Sequence, residues 1–184
     1  MKTKHAARDV AVVGVASALM IGCQVGLSFL PNIELVSLLT ILYAQFFGRR
    51  TIPIIYVFAL VEGIIYGFGS WWIIYLYIWT ILYFIARRCR RLRSALGWAV
   101  ISGLYGLFFG LLCSIPYCFI LGFYGGVAYF VQGILFDLVH CAGNFVVALT
   151  LYRPLSAVME HAARRLGYEA EEREREERKA KKSE

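Results

Sequence analysis

The feature that most limits what this chain can fold into is the near-absence of charge from its middle. Between positions 10 and 152 the acidic residues are Glu34, Glu62 and Asp137. The basic residues of that stretch fall into two clusters, Arg49-Arg50 and the run from Arg87 to Arg93. The rest is dominated by aliphatic, aromatic and small residues, and the chain is 60% hydrophobic. Such a composition points to an all-α integral membrane bundle. The net charge of +7 sits at membrane-flanking positions. There it reads as an orientation signal and a contact with anionic lipid rather than as a nucleic-acid surface. The five cysteines make no Cys-x-x-Cys pair, so the spacing indicates neither a zinc site nor a disulfide framework.

A spanning helix takes about 20 residues. Six spans are expected at about 9–30, 33–48, 52–68, 71–87, 95–115 and 126–152. Residues 1–155 then form one transmembrane domain, and 156–184 form a charged cytoplasmic helix or tail. Lys2, Lys4 and Arg8 ahead of an apolar run resemble a signal-peptide start, but the run continues to Leu30 and further spans follow, so it is read as the first helix. Pro116 is expected to end or kink the fifth span. The breaks alternate between basic and uncharged, which places both termini in the cytoplasm of a plasma-membrane protein.

The sixth span carries most of the polar chemistry. Wound at 3.6 residues per turn, Tyr129, Gln132, Gly133, Phe136, Asp137, His140, Gly143 and Asn144 share one side. An amphipathic helix inside a membrane must turn that side toward protein or a wet cavity. A carboxylate, an imidazole and an amide stacked at i, i+3 and i+7 are equipped to hold a polar heterocycle. The bland reading is that each bonds a neighbouring helix. Asp137 and His140 with an Asn are a poor metal set, and no metal is expected. On the third span Glu62, Tyr66 and two glycines share a face. Trp71, Trp72, Tyr75, Tyr77 and Trp79 open the fourth span. Half of these rings are ordinary interfacial aromatics, yet one or two suit stacking on a flat ligand. Asn32 is a candidate N-cap of the second span and Glu34 suits its dipole, so a structural role is favoured for both. Small residues at Ala7, Ala11, Gly14, Ala18 and Gly22 line one seam of the first span, which lets another helix, internal or from another subunit, pack closely. No Walker-type phosphate loop, His-Glu-x-x-His or Gly-x-Ser-x-Gly motif occurs, so the motifs give no sign of ATP binding or catalysis and no cofactor is expected.

Three stretches carry a family resemblance: Leu30-Pro-Asn-Ile-Glu-Leu-Val-Ser-Leu-Leu, Glu62-Gly-Ile-Ile-Tyr-Gly-Phe-Gly-Ser-Trp-Trp and Phe136-Asp-Leu-Val-His-Cys-Ala-Gly-Asn-Phe. With six short spans and a small-residue seam, the chain from residue 8 to about 155 resembles the S component of an energy-coupling factor (ECF) transporter. The resemblance implies a vitamin-like substrate bound near the outer surface, with residues 30–33 helping to cover it. It also implies a T component and two ATPase subunits as partners. The family's Ala-x-x-x-Ala motif for T-component contact falls here on Gly14-x-x-x-Ala18. The substrate-binding candidates are then Asn32, Glu34, Glu62, Tyr66, Trp71, Trp72, Tyr75, Tyr129, Gln132, Phe136, Asp137, His140 and Asn144. The lining favours a ring-bearing micronutrient such as a B vitamin, a cobalamin-like compound or a queuosine precursor. The competing expectation is a scaffold subunit of the cell-shape machinery with a similar fold, which has less need of Asp137, His140 and Asn144 around one cavity.

The charge alternation is directly testable. In a cysteine-free background a Ser94→Cys variant is expected to resist an impermeant outside reagent, while cysteines placed at 68–71 or 119–125 react. Outside labelling at position 94 would overturn the topology.

Overall fold

The computed structural model describes residues 2–168, which form helices and connecting turns. The helices are α1 (Lys2–Gly26), α2 (Val36–Phe46), α3 (Thr51–Tyr66), α4 (Ser70–Tyr75), α5 (Ile78–Arg88), α6 (Ala95–Leu107), α7 (Phe109–Ile120) and α8 (Gly122–Arg165), with a 3₁₀ turn at Gly48–Arg50. Four segments are long and apolar enough to cross a membrane: Ala6–Gly26, Ser70–Arg88, Ala95–Ile120 and Gly122–Arg165. Large apolar side chains such as Val10, Leu60, Phe84, Leu104 and Leu135 lie exposed on its outside. α2 has 11 residues and so spans only about 16 Å, against roughly 30 Å of bilayer hydrocarbon. It sits in the core instead, with nine of its residues buried, from Val36 to Ala44.

α8 is the spine. It packs along α6 and α7 and also touches α2, while α1 lies on α3 and α2 on α5. In lipid there is little hydrophobic drive between helices, so close van der Waals contact between small residues has to supply the attraction. Three glycines on α6 and α7 provide it. A Cβ on Gly103 would meet the Cys141 carbonyl oxygen at 3.3 Å, and one on Gly106 would meet the His140 carbonyl oxygen at 2.8 Å. A Cβ on Gly110 would collide with the Asp137 carboxylate.

This contact corrects the expected end of the fifth span. The helix breaks at Phe108, not at Pro116, which lies inside α7. The cause is Asp137, whose Oδ1 accepts the Gly110 amide at 2.9 Å. A side chain inserted into the i→i−4 ladder is a known source of kinks. Pro116 is tolerated because the carbonyl it leaves without a donor, that of Leu112, accepts the Tyr77 hydroxyl at 2.6 Å. Other boundaries move as well: α1 covers 2–26 rather than 9–30. α2 covers 36–46 rather than 33–48, and α8 starts at Gly122, the residue that turns the chain with φ +77°, rather than at 126.

The basic breaks meet at one end of the bundle. Arg50 Nε lies 2.9 Å from Asp9 Oδ2, and the Arg8 guanidinium donates to the Leu166 carbonyl at 2.5 Å. Arg87 donates to the Ala44 carbonyl. α8 runs through Pro154 and past the expected limit of 152, then ends where Gly167 takes φ +72°. Tyr168 folds back, donates to Asp9 Oδ1 at 3.0 Å, and lies under the Arg50 guanidinium. Burial, and then the bond to Asp9, push its hydroxyl up to about 12. The rest of the charged tail, from residue 169, lies outside the described residues.

The α6–α8 contact predicts an asymmetry among glycines. Gly106→Ala would drive a methyl into backbone and is expected to cost about 1–3 kcal/mol, lowering the melting temperature of the detergent-solubilised protein. Gly133→Ala, where nothing lies within 4 Å of the added atom, should melt with the wild type.

Candidate functional site

Trp71, Tyr75 and Trp79 recur at i, i+4 and i+8. They therefore lie on one side of the α4–α5 segment despite the turn at Leu76-Tyr77. The Trp71 and Tyr75 rings meet edge to face at 5.1 Å, and Tyr75 and Trp79 at 5.8 Å. Phe58 backs this wall against both Tyr75 and Trp79. Two tyrosine hydroxyls tie down the turn into α5: Tyr56 donates to the Leu76 carbonyl at 3.1 Å and Tyr105 to the Ile78 carbonyl at 2.8 Å.

Opposite the wall stands the turn between α1 and α2. Asn32 takes φ +59° there, a left-handed conformation that asparagine accepts more readily than most residues. It is therefore a turn residue and not the expected N-cap. Glu34 performs the capping: its Oε2 accepts the Ser37 amide at 2.8 Å. The turn rests on α8 at Gly143, where a Cβ would meet the Asn32 carbonyl oxygen at 3.2 Å.

Wall and turn enclose a cavity of about 360 Å³. Asn32, Glu34, Glu62, Tyr66, Trp71, Tyr75, Trp79, Phe109 and His140 line it, with Gln24, Ile33 and residues of the 27–31 segment. Its polar groups are not equivalent. Glu34 is engaged, with Oε1 3.4 Å from His140 Nε2. Phe109 packs edge to face on the His140 ring at 4.7 Å and fixes its plane. Glu62, 1% exposed, has no hydrogen-bond partner at Oε1, and the Trp79 indole N–H has none either. Buried polar atoms are normally paired; Thr40 Oγ1, Thr51 Oγ1 and Ser102 Oγ are also without a partner but lie off this cavity, whereas Glu62 and Trp79 lie in its lining.

The expected single site is divided. Tyr129, Gln132, Phe136 and Asp137 line a second cavity of about 560 Å³ between α7 and α8. It shares Asn32, Phe109 and His140 with the first. Tyr117 and Tyr129 stack across it at 4.1 Å. Asp137 is buried, with Oδ1 on the Gly110 amide and Oδ2 unpaired. Two candidates line neither cavity. Asn144 is buried against α2, where its Nδ2 donates to Ser37 Oγ at 3.2 Å. Trp72 donates its indole N–H to the Ala59 carbonyl at 2.8 Å and packs on Phe68. Trp79, Phe109 and Gln24 were not among the candidates. The i+4 spacing from Tyr75 signals Trp79. Nothing local signals Phe109, whose position follows from the break made by Asp137. No protein family, curated protein or solved structure matches the chain.

The two adjacent tryptophans should therefore part company. Trp72→Ala removes a bonded, packed ring and is expected to destabilise by about 2 kcal/mol, read as a lower melting temperature. Trp71→Ala, at the cavity wall, should leave the melting temperature within error of wild type.

Proposed function

We propose that this chain is the substrate-binding membrane subunit of an ECF-type importer that takes up a vitamin or related micronutrient across the plasma membrane. In this reading the six expected segments lie in the membrane, α2 as a buried half-length helix, and both termini are in the cytoplasm. One observation carries it: a cavity walled by Trp71, Tyr75 and Trp79 in which the Glu62 carboxyl oxygen and the Trp79 indole N–H have no protein partner. An unpaired buried polar atom costs about 1–3 kcal/mol, and these two belong to residues on the wall of a cavity that a ligand can fill.

The expected T-component seam supports the same reading. Gly14 and Ala18 lie exposed on α1, and no atom stands within 4 Å of where a Gly14 Cβ would sit. The seam is open to a helix of another subunit, and partner ATPases would supply the energy for which this chain has no motif. The volume is at the small end of ligand pockets, which favours a one- or two-ring compound over a corrin-sized one. Residues 30–33 would form the outer cover, and the Arg8–Arg50 end would face the cytoplasm. The scaffold reading draws on Asp137 and Asn144, both of which bond neighbouring helices. It leaves Glu62 and Trp79 unexplained.

Gly14→Leu and Ala18→Leu are expected to abolish uptake in cells that supply the T component and ATPases. Retention of co-purifying small molecules by the isolated subunit, read by mass spectrometry, should be unchanged. Loss of both would make the seam part of the internal packing, and loss of neither would remove it from the transport mechanism.

A further inference from the structure

Taking the Trp71–Tyr75–Trp79 cavity as the substrate site, its charge inventory narrows the substrate class. Glu34 and Glu62 line it, and no lysine or arginine does. Glu34 is already bonded by the Ser37 amide and approached by His140. Glu62 lies on the lining with its Oε1 unbonded, and Trp79 lies there with its indole N–H free. A carboxylate or phosphate ligand would add negative charge beside Glu34 and Glu62, and His140, the basic side chain on the lining, already faces Glu34. Like charges held in a low-dielectric interior repel strongly. A purely apolar ring would leave both spare atoms unpaired. A flat ring with a ring-nitrogen or carbonyl acceptor and a cationic or protonated-amine group meets every feature at once. Its positive N–H or charge faces Glu62, its acceptor takes the Trp79 N–H, and its face lies on electron-rich rings that also attract cations.

We infer that the cavity binds a planar nitrogen heterocycle bearing a positive charge or a protonated amine, and that it rejects carboxylate- and phosphate-bearing micronutrients.

The test uses the full chain in lipid nanodiscs. Yeast extract is split at pH 7 into fractions retained by strong cation exchanger, retained by strong anion exchanger, and unretained. Each is dialysed against the protein, and compounds enriched on the protein side are quantified by mass spectrometry. The expected result is enrichment from the cation-exchange fraction alone. Glu62→Gln, which keeps the shape but removes the charge, should weaken it about tenfold, the effect of a lost charge-assisted hydrogen bond. Trp79→Phe, which keeps a ring but removes the N–H, gives a second reading should Glu62→Gln melt early; it is expected to weaken binding severalfold. Enrichment from the anion-exchange or unretained fraction, abolished by Trp71→Ala, would overturn the substrate class and leave the site standing. Enrichment from no fraction, or enrichment that neither Glu62→Gln nor Trp79→Phe changes, would overturn the site itself.

Discussion

The hydrogen bond from the Gly110 amide to Asp137 Oδ1 connects the features on which the rest of the molecule depends. A carboxylate in a membrane interior is expensive without a partner. Here it is held by a backbone donor, and taking that amide out of the helix ladder breaks the helix at Phe108. The bond needs close backbones, and Gly103, Gly106 and Gly110 let α6 and α7 approach α8 to that distance. Once the break is in place, Phe109 starts a new helix, meets His140 edge to face and separates the two cavities. A fold constraint and the geometry of the candidate site thus share one cause.

The buried polar groups divide by the same logic. In lipid no water satisfies a stray donor or acceptor, so each polar atom bonds protein or awaits something else. Glu34 caps α2, and Asn144 ties α8 to Ser37. The Tyr77 hydroxyl serves the Leu112 carbonyl that Pro116 leaves without a donor inside α7. After these pairings Glu62 and Trp79, on the wall of one cavity, and Asp137, on the wall of the other, each keep a buried atom without a partner, as do Thr40, Gln45, Thr51, Ser102 and Asn144 away from both cavities. A place on a cavity wall, rather than polarity or an unpaired atom as such, separates the candidate binding groups from the packing groups. Polarity put Asn144 among the candidates and a ring suited to stacking put Trp72 there, and neither lines a cavity.

Much was legible in the chain before folding. Sparse charge gave an all-helical bundle with helices long enough to cross a membrane, and the clustered arginines gave the end at which the breaks gather. The 3.6-residue period identified the buried side of α8 at Asp137, His140 and Asn144, because a helix in lipid has only one place to hide polar groups. The i+4 spacing of Trp71, Tyr75 and Trp79 already contained the aromatic wall. What the chain alone could not decide was partnership. Whether Asp137 bonds a ligand or a backbone amide depends on a glycine 27 residues away. That α2 is a buried half-length helix follows from the helices around it, not from its own apolar run. Which of two adjacent tryptophans faces a cavity depends on where the Ala59 carbonyl stands. Local sequence sets which groups must be buried and on which side of a helix. Only the packing of distant segments determines which of them find a partner in the protein and which are left for something else to fill.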